Sequence, residues 1–421
     1  MATPEVRHLS RSVLECAEGD ELCVVRRHEL EVIIVPVLLL AVTCLVGACI
    51  GYMVCRRKRE DESSPLRASL QRRRSDRLNS RHDIALTVAS LDGSHWGAGT
   101  DLSRWQIPRD RIRGGLRAIA QGTFGTIYQA SLASEEPGKE RTVVLKELHE
   151  LAEPVRATEF LDRIKFHACL GKHRNVPEML GCCTERSPFY LIMENLTRGD
   201  LLNFLWMCRK DVINLGEAPY DLTERQVYNI AQQVATGLSF LHNKGLTHGE
   251  VAARSVLLQD DFTAKLGSLQ IPFEIQRSGD QKAHTSVPVK WQSPERIMKK
   301  GLTPKADVWS FGVLLFELIT LGAPPYASLS PNSVLQYLQR GQRMSQPATC
   351  KAPLYNLMKL CWQWKESSRP DMADVRKRLL SNLKGTSDRV VLRVPNQIDP
   401  EGYAIAAGTR VSDRPGVYTI L

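Results

Sequence analysis

The sequence predicts an α+β fold of two lobes, one rich in strands and one helical, preceded by a single membrane-spanning helix. Three observations support this prediction: an uncharged run near the amino terminus, strand-like segments from about residue 112, and long helical stretches before residue 384. The chain has 421 residues, enough for one large core or two moderate ones. Its composition, with 43% hydrophobic and 24% charged residues, is that of a globular protein.

The uncharged run spans residues 32–55 and reads VIIVPVLLLAVTCLVGACIGYMVC. At about 1.5 Å rise per residue, a helix of this length crosses the ~30 Å hydrocarbon layer with some tilt. A buried core helix fits less well, because core helices rarely remain apolar on every face for so long. The run is too long and starts too late for a cleaved signal peptide. We therefore expect a single-pass membrane protein.

Flanking charges predict the orientation of this helix. RRKR at 56–59 and RRR at 72–74 follow it, whereas the preceding flank holds two arginines among acidic residues. The positive-inside rule then places residues 1–31 outside the membrane and the chain after residue 56 in the cytosol. The basic run favours contact with anionic membrane lipid and argues against a nucleic-acid partner. The pattern fits the plasma membrane and an internal membrane equally.

Composition divides the chain into five parts. Residues 1–31 form an extracellular segment too short for a ligand-binding domain, and residues 32–55 form the transmembrane helix. Residues 56–111 lack an apolar period, which predicts a basic juxtamembrane linker. Residues 112–384 combine strand-like TVVLKEL and FYLIMEN with helical RQVYNIAQQVATGLSFLHN and ADVWSFGVLLFELITLG. Residues 385–421, with scattered Gly and Pro, predict a flexible tail.

Several segments of the folded part resemble the protein kinase family in order and spacing. They are similar to its glycine-rich loop, lysine strand, catalytic loop, activation-segment end, central helix and late arginine: AQGTFGTIY (120–128), VVLK (143–146), HGEVAARS (248–255), WQSPE (291–295), DVWSFG (307–312) and CWQWKESSRP (361–370). AAR in the catalytic loop, together with PVKW before SPE, resembles the tyrosine-specific branch. The resemblance implies a two-lobed kinase-like fold with a small β-rich lobe and a large helical lobe.

The resemblance also implies roles for individual residues. Glu250 occupies the position of the catalytic base, and ATP is the implied ligand. The positions that would contact the nucleotide are Gly122, Gly125, Ile127, Val144, Lys146, Met193, Glu194 and Leu257. The first loop glycine is replaced by Ala120, a small weakening of the phosphate cradle. Val144 replaces the usual alanine, so that either the adenine site is partly filled or it widens to fit.

The carboxylate that should hold Lys146 is missing from its expected place. Counting back from GKHRN at 171–175, the position of the family's helix glutamate is Arg163. An arginine there repels Lys146 instead of steadying it. Glu159, one helical turn earlier on the same face, is the alternative partner if the helix slides.

The metal-binding positions carry serine. Ser255 and Ser268 stand where the family has asparagine and the aspartate of its DFG motif. Magnesium prefers carboxylates and phosphates and gives up water reluctantly, so two hydroxyls predict a poor magnesium site. At Glu250 the extra methylene moves the carboxylate by about 1 Å, a displacement that can cost about 100-fold in rate.

Two regulatory features are altered. Gly249 replaces the arginine that grips a phosphorylated activation loop in many kinases, and residues 268–295 contain no tyrosine. Phosphotyrosine cannot order this segment, although Thr285 or Ser286 remain as alternatives. In the tail, Tyr403 and Tyr418 are candidates for recruiting signalling proteins once phosphorylated.

Two functions follow as hypotheses. The leading one is a membrane-anchored, catalytically impaired tyrosine-kinase-like domain, a pseudokinase that signals by binding partners. The alternative is a weakly active tyrosine protein kinase that transfers the ATP γ-phosphate, with Lys146 on the phosphates and Glu250 as base.

Overall fold

The computed structural model describes residues 101–408, except 135, 137, 210–219, 280–286 and 395–398, together with Thr43 and Gly47. The chain divides into two units, Met1–Arg81 and His82–Leu421. In the first unit Thr43 and Gly47 are helical, and the rest of the predicted transmembrane segment 32–55 lies outside the described residues. Of the helices within the described ranges, none is long and apolar enough to cross a membrane.

The second unit begins with a small lobe built on an antiparallel five-stranded sheet with strand order β1-β2-β3-β5-β4. One helix, α1, packs on it. These elements are β1 (Ile112–Gln121), β2 (Thr126–Ala133), β3 (Glu140–Glu147), α1 (Pro154–Leu170), β4 (Met179–Cys183) and β5 (Tyr190–Glu194). Short 3-10 helices at Ser103–Trp105 and Arg109–Arg111 precede the sheet.

The small-lobe sheet is buried on both faces at its middle strands, whereas β1 at its edge is largely exposed. Along β3, Val143 and Leu145 point to one hydrophobic cluster, while Val144 points to another on the α1 side, as the two-residue period of a strand requires. Helix α1 covers this second cluster through Phe160, Ile164 and Ala168, which recur every four residues. The sheet and α1 therefore hold Lys146, on β3, beside the inner face of the helix.

The large lobe is helical, with a three-stranded sheet (strand order β6-β7-β8) at its edge. The strands are β6 (Gly199–Asp200), β7 (Val256–Leu258) and β8 (Ala264–Leu266). The helices are α2 (Leu201–Met207), α3 (Glu224–Asn243), α4 (Gln270–Ser278), α5 (Pro294–Ile297), α6 (Pro304–Ile319), α7 (Pro331–Gln339), α8 (Ala352–Cys361), α9 (Met372–Leu383) and α10 (Pro400–Ala407). The 3-10 helices are Ala253–Ser255, Val289–Trp291 and Glu366–Ser368.

Two polar braces fix the large lobe around its buried central helix, α6. The carboxylate of Asp307 accepts backbone hydrogen bonds from His248 and Gly249, each 2.7 Å long. Glu295 and Arg369 form a buried bidentate pair with N–O distances of 2.6 and 2.8 Å. The catalytic loop is thus anchored on α6, independently of any nucleotide.

The domain limits differ from those predicted at both ends. Before β1, the amide of Ile107 donates to the carbonyl of Cys182 at 2.9 Å, so the end of the predicted linker packs on β4. After α9, the amide of Leu392 donates to the carbonyl of Leu222 at 2.9 Å. Helix α10 then docks on the large lobe and buries Tyr403. The prediction of a flexible tail is wrong for these residues; α10 is too short to show a helical stripe in the sequence.

Candidate active site between the lobes

The glycine-rich loop joins β1 to β2 and is folded onto the end of β3. The amide of Gly122 donates to the carbonyl of Gly125 at 2.8 Å, and the carbonyl of Phe124 accepts from the amide of His149 at 3.0 Å. A Cβ at Gly125 would lie 2.6 Å from the carbonyl oxygen of Glu147, so only glycine fits there. Gly122 therefore uses its backbone amide within the loop, where a phosphate cradle would need it free.

The apolar side chains at the predicted adenine site are all buried. Ile127, Val144 and Met193 belong to one cluster and are only 3%, 2% and 1% exposed. Leu257, from the large lobe, is equally buried at 3%. An open adenine pocket would leave such side chains facing solvent. Their close packing favours partial filling over widening at Val144.

Glu194, the other predicted nucleotide position on β5, has a carboxylate that is already engaged. Its Oε1 accepts the amide of Glu178 at 2.6 Å and pairs with Nζ of Lys265 at 2.8 Å. The backbone amide of Glu194 is bonded as well, donating to the carbonyl of Glu178 at 3.0 Å.

Lys146 stands on β3 as predicted, with Leu191 as its neighbour on β5. Burial, and then the positive charge of Arg163, lower the pKa of Lys146 to about 7. Within the described part of the chain no carboxylate forms an ion pair with its ammonium. The positive charge of Arg163 therefore acts on the ammonium of Lys146, and no described carboxylate holds that ammonium in place.

Arg163 lies on α1 and is turned towards the segment that follows β8. Its Nη2 donates a hydrogen bond to Oε1 of Gln270, and its guanidinium lies 4.7 Å from the ring centroid of Phe273 and 5.5 Å from that of Phe124. Burial lowers the pKa of Arg163 to about 10, against the opposing charge of Glu159. Glu159 thus acts on Arg163 and does not replace the missing partner of Lys146.

His167 is a residue that sequence reasoning missed. It lies one turn beyond Arg163 on α1 and is buried. Burial and the charges of Lys146 and Arg163 hold its pKa well below its ordinary value, so the ring is neutral at pH 7. The sequence could have indicated His167 through its four-residue spacing from Arg163, because that spacing places both side chains on one face of the helix.

The catalytic loop keeps a positioned carboxylate. Oε1 of Glu250 accepts a hydrogen bond from Nη2 of Arg254 at 3.2 Å, and the amide of Glu250 donates to Nδ1 of His248 at the same distance. Nε2 of His248 is 2.7 Å from the carbonyl oxygen of Gly267. A carboxylate at the base position is therefore held in a hydrogen-bonded frame.

The residues at the magnesium positions do not fit that metal. Ser255 is buried, and its Oγ has no hydrogen-bond partner among the described residues. Ser268 has a φ of 55°, a left-handed backbone conformation, and it offers a neutral hydroxyl where magnesium favours a carboxylate. In the described ranges no group of three or more His, Cys, Asp or Glu side chains is arranged to hold a metal ion.

Helix α4 occupies the start of the activation segment. Its Ile271 packs with Val287, Leu302 and Ala306. Gly249 has a φ of 78°, and a Cβ there would lie 2.8 Å from Cδ2 of Leu302 and 2.9 Å from Cγ2 of Ile271. The family's arginine cannot fit at this position, because apolar packing has taken the space. Thr285 and Ser286 lie outside the described residues.

A strand-rich lobe that carries Lys146 and a helical lobe whose loop carries Glu250 and Arg254 together define the protein kinase class. Residues 115–379 match the family model described as protein tyrosine and serine/threonine kinase, and the chain belongs to that family. The family transfers phosphate from ATP, which makes ATP the ligand that the fold implies.

The curated relatives agree with the tyrosine-specific branch. The chain is 39% identical over 427 residues to tyrosine-protein kinase STYK1 of Mus musculus, covering 99% of this chain and 100% of the relative. It is 40% identical over 420 residues to the Homo sapiens protein of that name, covering 98% and 100%. It is 31% identical over 298 residues to tyrosine kinase receptor Cad96Ca of Drosophila melanogaster, covering 69% of this chain and 38% of the receptor.

Proposed function

We propose that this chain is a single-pass membrane protein whose cytosolic tyrosine-kinase domain is catalytically impaired and acts in signalling by binding partner proteins. One observation carries the proposal. Arg163 stands where Lys146 needs a glutamate, and it is bound to Gln270. Phosphoryl transfer depends on positioned charges around the phosphates, and here the lysine is repelled by its neighbour.

Repair of this site by a simple side-chain movement is costly. Turning Arg163 away from α4 would break its hydrogen bond to Gln270 and its stacking on Phe273. Cation–π contacts contribute about 0.5–2 kcal/mol each. That movement alone would not supply a carboxylate, because none among the described residues forms an ion pair with Lys146.

The site suits a nucleotide better than it suits magnesium. Lys146 remains available to contact phosphates, although the Gly122 amide is already bonded within the loop, so ATP stays the ligand that we propose. Ser255 and Ser268 supply only neutral hydroxyls to magnesium, which makes magnesium doubtful. When bound, magnesium would neutralise phosphate charge; without it this task falls to Lys146 and Arg163. We therefore expect nucleotide binding that depends little on magnesium.

Membrane attachment allows such a domain to act in signalling without catalysing a reaction. The uncharged segment 32–55 and the basic run at 56–59 support a single span with the domain on the cytosolic side. Tethering raises the local concentration of any bound partner at the membrane. Anionic lipid would contact the basic run, and signalling proteins would bind the domain or Tyr418, which lies outside the described residues.

One observation favours the alternative, a weakly active tyrosine protein kinase. Glu250 keeps a carboxylate at the base position, and Arg254 holds it at 3.2 Å. A general base within hydrogen-bonding reach contributes typically about 100-fold or more to rate. With Lys146 in place, slow transfer to a protein tyrosine is chemically feasible.

Nucleotide titration tests the proposal. The full chain in detergent is titrated with a fluorescent ATP analogue, with magnesium and with EDTA. Equal affinity in both conditions supports the proposal, and a Lys146→Met variant should lose binding in both. Lys300→Met, which replaces an exposed lysine on the large lobe, is the control. Affinity that rises at least about tenfold with magnesium would favour the alternative.

A further inference from the structure

Helix α10 is attached to the large lobe mainly by one side chain. Tyr403 is 1% exposed, whereas Ile405, two residues on, is 67% exposed. The other buried residues of the helix are alanines at positions 404, 406 and 407. Asp399 caps the helix, accepting the amide of Gly402 on Oδ1 at 2.7 Å. The docking of these eight residues therefore depends on the tyrosine.

The tyrosine ring lies between two tryptophans. Its centroid is 5.7 Å from that of Trp206, at the end of α2, and 5.3 Å from that of Trp291, at the end of the activation segment. Both pairs have an edge-to-face arrangement, the favoured geometry for aromatic rings. The hydroxyl of Tyr403 donates to Oε1 of Glu317 at 2.5 Å. The site is thus shaped for a tyrosine and not only for an apolar ring.

The same hydrogen-bond network reaches the catalytic loop. Oε2 of Glu317 accepts the amide of Ala253 at 3.0 Å. Arg254 contacts the Tyr403 hydroxyl, stacks 4.6 Å from the Trp291 ring centroid and donates to Glu250. One guanidinium therefore links the tail tyrosine to the residue at the base position.

A phosphate on Tyr403 cannot be accommodated in this docked state. The hydroxyl is buried against the Glu317 carboxylate, and a phosphotyrosine adds about −1.5 to −2 charge at pH 7. Arg254 offers one positive charge, but it is already shared with Glu250. Like-charge repulsion and lack of space would both expel the modified ring.

We propose that α10 is a releasable latch on the catalytic loop and that Tyr403 is a phosphorylation site reached only when the latch opens. A separate protein tyrosine kinase would transfer the γ-phosphoryl group of ATP to the phenolic oxygen, releasing ADP and the hydroxyl proton. The modified helix stays undocked, which uncovers Trp206 and Trp291 and removes the contact of Arg254 with the Tyr403 hydroxyl. This holds whether or not the chain itself transfers phosphate.

Hydrogen–deuterium exchange on the full chain in detergent tests the latch. The amides of α10 should exchange at least about tenfold faster than those of α6, because α10 opens without unfolding the lobe. Tyr403→Phe should raise α10 exchange about a further tenfold, the loss expected for one hydrogen bond to a charged group, and leave α6 unchanged. Tyr355→Phe, which removes a hydroxyl bonded to the Met344 carbonyl, is the control and should leave α10 unchanged.

A labelled peptide of residues 399–408 tests the phosphorylation step. The Tyr403→Phe chain, with its weakened latch, should bind the unmodified peptide at least about tenfold more tightly than the peptide carrying phosphotyrosine. Three results would overturn the proposal. They are exchange of the α10 amides only together with those of α6, failure of both peptides to bind, and equal binding of the two peptides.

Discussion

Arg163 on α1 donates a hydrogen bond to Gln270, the first residue of α4. The family places a glutamate at the first position and the glycine of its DFG motif at the second. This pair therefore joins two substitutions in one contact, which ties the helix beside Lys146 to the activation segment. Arg163 therefore places a positive charge near Lys146 and also ties α1 to the first residue of α4.

Arg163→Glu should restore a partner for Lys146. The new carboxylate replaces a repulsion with an attraction, and we expect affinity for a fluorescent ATP analogue to rise by about tenfold. Arg163→Gln is the control, because it removes the repulsion without supplying a carboxylate. Equal affinity of the two variants would show that the charge opposite Lys146 does not limit binding.

Lys146→Met should stabilise the domain most at low pH. The folded-state pKa of Lys146 is about 7, against an ordinary value of 10.5. Between these values the unfolded chain binds a proton that the folded chain lacks, so wild-type stability rises with pH. Below pH 7 Lys146 is charged in the folded chain as well, so burial of that charge lowers the free energy of unfolding by its full amount. The advantage of Lys146→Met in the free energy of unfolding should therefore shrink from pH 6.5 to pH 9.

Denaturant unfolding of the full chain in detergent, followed by tryptophan fluorescence, measures this difference. Lys300→Met serves as the exposed control and should show no trend with pH. An advantage for Lys146→Met that is constant or grows with pH would contradict the lowered pKa.

Gly249→Ala should destabilise the domain through packing as well as backbone strain. The added Cβ meets Leu302 and Ile271 at under 3.0 Å, and overpacking costs about 1–3 kcal/mol. Gly245→Ala is a matched control, since Gly245 has a φ of 74° and a Cβ added there would have no atom within 4 Å. If the two variants lose equal stability, close packing of α4 on the catalytic loop is not the cause.

Arg369→Met should lower the free energy of unfolding by about 3–5 kcal/mol, because it leaves Glu295 buried without its partner. Arg393→Met breaks the exposed pair with Asp221 and should cost about 1 kcal/mol or less. Thermal or denaturant unfolding measures both. Similar losses for the two variants would mean that the buried pair is not a main brace of the large lobe.

Sequence motifs predicted the fold and much of the site, because each motif of the family occurs at a fixed place in its fold. Lys146 lies on β3 and Ser255 ends the 3-10 helix Ala253–Ser255 of the catalytic loop, while the roles of the site residues stay predictions. The charge of Arg163 acts on Lys146, although its side chain is bonded to Gln270. Helix α4 was not predictable, since its residues show no distinctive pattern and it depends on Gly249 leaving room for Ile271.

The tail was the main error. PEGYAIAA has too few large apolar residues to predict burial, and its docking depends on Trp206, Trp291 and Glu317, which are distant in sequence. Tyr403 was predicted to recruit signalling proteins once phosphorylated, and the structure buries its side chain. Only tertiary contacts could distinguish these possibilities.

Transfer of labelled γ-phosphate to a tyrosine peptide decides whether the domain is catalytically impaired. We expect no transfer by the wild-type chain above that of its Lys146→Met and Glu250→Gln variants. A triple variant, Arg163→Glu, Ser255→Asn and Ser268→Asp, should gain magnesium-dependent transfer that Glu250→Gln then removes. Wild-type transfer that both Lys146→Met and Glu250→Gln abolish would contradict the impaired-kinase proposal and establish an active kinase.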